Sequence, residues 1–101
     1  MKLTINNKDY NIKYTIRGLF IFEQITGKPF ELRTVLDNYI FLYSLLLANN
    51  PDNPIQWDEF IDALDNDKNL LEQLMEVVRE YQNKDNLFSE DASDGEKKSY
   101  Q

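Results

Sequence analysis

Residues 3 to 14 alternate between apolar and polar positions. Leu3, Ile5, Tyr10, Ile12 and Tyr14 fall on one side, Thr4, Asn11 and Lys13 on the other, and the polar run Asn6-Asn7-Lys8-Asp9 lies between the two halves. This period of two predicts a β-hairpin over residues 2–14. Asn6-Asn7 is the better two-residue loop, because asparagine tolerates the positive φ of a primed turn, whereas a loop at Asn7-Lys8 asks it of a lysine. The two registers pair Leu3 with Tyr10 or with Ile12, and both keep the same face apolar. A lone hairpin is marginal in water, so that face must lie on something helical.

From Ile16 the period changes. Ile16, Leu19, Phe20, Ile21, Phe22 and Ile25 predict a helix over about 15–26, with Thr15 as N-cap, Gly27 as the residue that ends it and Pro29 beyond to prevent continuation. A second helix is expected over about 32–48, starting at Leu32 or Thr34 and stopping at Asn49-Asn50-Pro51; its stripe is Val35, Leu36, Tyr39, Ile40, Leu42, Tyr43, Leu46 and Leu47. The turn-rich Asn50-Pro51-Asp52-Asn53-Pro54 leads to a third helix over about 55–65. There Trp57, Phe60, Ile61 and Leu64 stand at i, i+3, i+4 and i+7, with Asp58, Glu59 and Asp62 pointing away. Asn66 or Asp67 caps a fourth helix over about 67–81, with the stripe Leu70, Leu71, Leu74, Val77, Val78 and Tyr81. From Gln82 to Gln101 the few apolar residues have no period, and the expectation is a flexible polar tail. The fold class is therefore mainly α: one domain over residues 1–81, an N-terminal β-hairpin packed on a cluster of about four helices, followed by a disordered C-terminal tail.

Composition removes most chemistry. The 101 residues include no His and no Cys, so there is no imidazole base, no thiolate, no zinc finger and no disulfide framework. The net charge of −7 is uneven: residues 1–48 carry +2, residues 49–81 carry −7 and residues 82–101 carry −2. An acidic second half repels phosphates and disfavours ordinary nucleic-acid binding. The start lacks the basic flank and apolar core of a signal peptide, and the most apolar run, Tyr39 to Ala48, is shorter than the ~18 to 20 residues that span a bilayer. A cytoplasmic protein without membrane contact is expected.

Three groups of residues carry candidate chemistry. Asp65-Asn66-Asp67-Lys68-Asn69 with Glu76 has the oxygen spacing of a twelve-residue calcium loop, but the position that needs glycine for the sharp turn holds Leu70, so an ordinary interhelical turn with a cap is favoured. Asp58, Glu59, Asp62 and Asp65 share a helix face, yet it is the one opposite Trp57 and Phe60, toward solvent, whereas acid–base work needs a carboxyl in a partly desolvated pocket. Ser44, Ser89 and Ser93 have no base to activate them. No catalytic residue, metal, cofactor or small-molecule substrate is expected.

What remains is apolar surplus. On the second helix, Phe41 and Leu45 lie on the face shared with Asp37 and Ser44, opposite the main stripe; on the first, Ile21, Phe22 and Ile25 lie opposite Ile16 and Phe20. Either the second helix is central and covered on both sides by its neighbours, or part of this surface docks another chain, a second copy or a client helix. On the docking reading, Phe22, Ile25, Phe41 and Leu45 are the contact residues.

The order of hairpin, apolar helix pair, acidic amphipathic helix and charged tail resembles the tail assembly chaperones of tailed phages and prophages. Met1-Lys2-Leu3-Thr4-Ile5-Asn6-Asn7-Lys8-Asp9-Tyr10 is similar to the family's usual start, with Asn6-Asn7 where Asn-Gly is typical. Lys13-Tyr14-Thr15-Ile16-Arg17 through Phe22-Glu23-Gln24-Ile25-Thr26-Gly27 is similar to its first helix. The resemblance implies a non-enzymatic protein of the host cytoplasm that coats the long helical tape measure protein and helps recruit tail tube protein, with a longer frameshifted product for which the tail serves as linker. Two other functions fit the chain: a structural minor tail or head-completion protein of a phage particle, and an acidic nucleic-acid mimic presenting Asp58, Glu59, Asp62, Asp65 and Asp67.

Overall fold

A computed structural model of the chain describes residues 1–93, with side chains described through Asn83. Strands β1 (Lys2–Ile5) and β2 (Lys8–Asn11) form an antiparallel hairpin, followed by helices α1 (Ile16–Thr26), α2 (Val35–Asn49), α3 (Trp57–Asn66) and α4 (Lys68–Ser93). The register is Leu3 opposite Tyr10 and Ile5 opposite Lys8, which places Asn6 and Asn7 in the turn with φ of 53° and 68°. Both central residues are left-handed, as a primed turn requires, so the strands keep their natural twist. Leu3, Ile5, Tyr10 and Ile12 are all buried, and the hairpin lies on the helices with this face.

Local chemistry sets the helix ends. Thr15 Oγ1 accepts the backbone N–H of Gly18 at 3.1 Å to open α1, and Gly27, at φ 72°, closes it by donating its N–H to the Glu23 carbonyl at 2.8 Å. Thr34 and Asp37 form a reciprocal capping box at the start of α2. Asp67 Oδ1 accepts from the N–H groups of Asn69 and Leu70, so Asp67 caps α4, and the oxygen spacing that imitates a calcium loop belongs to an interhelical turn. Helix α4 continues past Tyr81 to Ser93, so the stretch assigned to a polar tail from Gln82 begins as helix; residues 94–101 of that stretch lie outside the described residues.

Helix α2 is the hub, contacting β2, α1 and α4. Asn50, just past its C-terminus, reaches the outer edge of β2: its side chain accepts from Asn11 N–H at 2.9 Å and donates to Asn11 C=O at 2.7 Å. This amide occupies backbone groups that an edge strand otherwise leaves open to another chain. The other end of the hairpin is tied to α3 by Asn6 Nδ2 donating to Glu59 Oε2 at 2.9 Å. Phe22, Phe41, Leu42, Leu45, Leu46, Phe60, Leu70 and Leu74 complete the centre of the core.

Here the structure puts both sides of the C-terminal half of α2 in the core, since Leu42 and Leu46 of the main stripe are buried together with Phe41 and Leu45, and leaves the N-terminal end of that stripe outside. The face bearing Asp37, Phe41, Ser44 and Leu45 points into the core, while Val35 and Leu36, assigned to the buried stripe, are 73% and 57% exposed. Two polar residues can be buried because each finds a local partner. Ser44 Oγ donates to the Ile40 carbonyl at 2.7 Å, and Asp37 accepts from Arg33 N–H, Thr34 N–H and Lys28 Nζ. Helix α1 is turned the same way, with Phe22 inside and Ile16 and Phe20 each 61% exposed. Gly18 permits the closeness of the two helices, since a Cβ there would stand 2.3 Å from Leu45 Cδ2.

Candidate functional site

Of the four residues expected to contact a partner, three are core. Phe22, Phe41 and Leu45 are fully enclosed, and only Ile25 remains at the surface, 46% exposed. The physical reason is an aromatic cluster that the sequence pattern does not reveal. The loop between α1 and α2 folds back so that Phe30 lies 5.0 Å from Phe22 and 5.3 Å from Phe41, ring centroid to centroid. Tyr81 of α4 closes the group at 5.3 Å from Phe41 and 5.7 Å from Phe30. Edge-to-face and tilted arrangements at such distances are the favoured ones for aromatic pairs. The loop is held in place by Glu23 Oε2, which accepts the Phe30 N–H at 2.7 Å, and by Asp37 at its far end. The Arg33 N–H and then the Lys28 ammonium hold the Asp37 carboxyl below its ordinary pKa, outweighing the opposite effect of burial.

The displaced apolar surface is on the other side of α1 and α2. Ile16, Phe20 and Ile25 of α1 and Val35 and Leu36 of α2 are the large exposed apolar side chains of the helix pair. Beyond Ile25 the surface dips into a groove of 330 Å³ lined by Ile25, Leu36, Ile40, Tyr43 and Trp57. Its floor is fixed in place. Tyr43 donates its hydroxyl to the Ile55 carbonyl at 2.7 Å, and its ring packs 5.2 Å from Trp57 and 5.6 Å from Phe60. Burial raises the Tyr43 phenol pKa above its ordinary value. A second hollow, of 630 Å³, is lined by Arg17, Phe20, Ile21 and Gln24 on the exposed face of α1.

This arrangement can hold an apolar side chain. Among the described residues no group of His, Cys, Asp or Glu is arranged to hold a metal ion, and no helix is long and apolar enough to cross a membrane. Of the acidic set considered for nucleic-acid mimicry, Glu59 is bonded to Asn6 and Asp67 caps α4, so two of the five carboxylates already serve the fold.

Sequence reasoning identified Ile25 and missed Leu36, Ile40, Tyr43 and Trp57 as one lining. The signal was available in part: Gly18 marks the side of α1 that meets another helix closely, and Ile16 and Phe20 lie away from it. The chain matches no protein-family model, no curated protein and no solved structure.

Proposed function

We propose that the protein is a non-enzymatic docking protein, acting as a tail assembly chaperone that shields an apolar helical stretch of tape measure protein on the exposed flank of α1 and α2. The observation that carries this reading is the groove of Ile25, Leu36, Ile40, Tyr43 and Trp57, continuous with exposed Val35 and Leu36, in a chain that keeps a complete core elsewhere. An amphipathic client helix laid in such a groove buries its own apolar face, and the α3–α4 half of the complex, which carries the net charge of −7 over residues 49–81, keeps it dispersed. The resemblance of roughly residues 1–81 to the family supplies the client's identity, and tail tube protein is the second partner it implies.

The test is co-expression with the tape measure protein encoded in the same genome, reading soluble client yield and co-purification. Soluble client in a stable complex is expected with the native chain, and loss of both with Ile25→Asp/Leu36→Asp, whose sites are exposed. A client equally soluble with the variant, or no complex with the native chain, rejects the reading. Purified particles should lack the protein; finding it there by mass spectrometry would favour a structural tail or head-completion role.

A further inference from the structure

The hairpin has one edge that is tied down and one that is open. Ile12 N–H donates to the Met1 carbonyl at 2.9 Å and the Met1 ammonium to the Ile12 carbonyl at 3.1 Å, so the alternate pairs Lys2–Asn11 and Thr4–Asp9 turn their N–H and C=O groups outward. On β2 the Asn50 amide takes both outward groups of Asn11. On β1 the outward groups of Lys2 and Thr4 have no partner among the described residues, and both residues are exposed. Beside this edge lies a hollow of 170 Å³ between β1 and the α3–α4 turn. Buried Ile5 and Leu70 form its floor with Ala63, and the exposed Asp62 and Asp67 stand at its rim. Asp67 caps α4 through one oxygen, whereas the Asp62 carboxylate has no hydrogen-bond or ion-pair partner among the described residues.

We propose that the outer edge of β1 binds an extended segment of a partner protein, which adds antiparallel as a third strand and puts a lysine or arginine into this hollow. Backbone bonds to Lys2 and Thr4 hold the segment, and its side chains supply the selectivity. A residue opposite Ile5 in the added strand points to the face that Ile5 uses, toward the hollow. There an aliphatic stem lies along Ile5, Ala63 and Leu70 while the cation reaches Asp62 and the second oxygen of Asp67, a division that a long basic side chain makes. An acidic residue would instead meet like charge, since residues 49–81 carry −7. A second copy of β1 would bring Leu3 or Ile5 to that position, and neither carries a cation. The hollow shares no lining residue with the groove of Ile25 and Trp57, so the inference stands apart from client capture.

The test is a nuclear magnetic resonance titration of the full chain with the peptide acetyl-Thr-Lys-Thr-Val-Thr-amide, whose lysine stands opposite Ile5. The amide signals of Lys2 and Thr4 should shift and exchange with solvent more slowly. Replacing the peptide's lysine by glutamate should weaken binding about tenfold at low salt, with the difference shrinking as salt is added. Asp62→Asn, at an exposed site, should weaken the lysine peptide about threefold. Thr4→Pro removes an outward N–H without touching a hairpin bond, so it should abolish binding while circular dichroism is unchanged. Should that variant fail to fold, Asp62→Asn decides. Shifts at the groove or nowhere, equal binding of the glutamate peptide, or an Asp62→Asn chain that binds as tightly as the native one overturns the proposal. So does slow exchange at Lys2 and Thr4 without peptide that grows with protein concentration, which assigns the edge to a second copy.

Discussion

Truncating Phe41 to alanine tests which way α2 faces. The ring is fully buried, with its centroid 5.3 Å from both Phe30 and Tyr81. Removing a buried phenylalanine side chain costs about 3 to 5 kcal/mol, the lost transfer free energy plus the cavity left behind. Two ring contacts, each worth about 0.5 to 1.5 kcal/mol beyond area, place this site in the upper part of that range. In a domain of this size each kcal/mol moves Tm by roughly 4 to 8 °C, so Phe41→Ala should lower it by at least about 12 °C. Leu36→Ala is the control: Leu36 is 57% exposed, and the change should stay within about 0.5 kcal/mol. Thermal and urea unfolding followed by circular dichroism measure both. If the two variants lose equal stability, or Leu36→Ala loses more, the helix faces the other way and the argument for an exposed α1–α2 flank is refuted.

Two further outcomes test the local chemistry. Asn7→Gly should raise stability by about 0.5 to 1 kcal/mol, seen as a higher urea midpoint, because Asn7 sits at φ 68° where glycine meets no Cβ penalty; a loss would show that the turn is not of the primed type. Asp37 has a folded-state pKa below its ordinary 3.8, so its stabilisation is present above that value and is lost as pH falls through the lowered pKa. Asp37→Asn should therefore lower the urea midpoint at neutral pH and narrow the difference between neutral pH and about pH 3; an unchanged difference would show that the carboxylate is not the group responsible.

Several helix ends were legible because they are set by residues adjacent in the chain, whereas the end of α4 was not: it runs to Ser93, past the Tyr81 expected from the stripe. Thr15, Gly27, Thr34 and Asp67 cap or stop helices through side-chain or backbone bonds to partners within a turn, and Asn6-Asn7 fixes the hairpin register by its tolerance of positive φ. The facing of α3 was legible too, since Asp58, Glu59 and Asp62 mark a polar side opposite the buried Phe60. For α1 and α2 the pattern had no such contrast. Asp37 and Ser44 look like markers of a solvent face, yet a carboxylate in a capping box and a serine bonded to the carbonyl four residues back are both satisfied without water. Polarity in the sequence therefore did not report exposure at these two positions.

The chain's own chemistry determined a hairpin followed by capped helices and the absence of imidazole and thiol chemistry, because these follow from residue type and near neighbours. Which sides of α1 and α2 meet was decided only by the assembled molecule. Gly18 lets Leu45 approach, Phe30 returns from the loop to join Phe22, Phe41 and Tyr81, and Ile25 and Leu36 are left outside. Where apolar residues surround a helix, burying either side removes comparable area from water, and the choice passes to the fit of side chains distant in sequence.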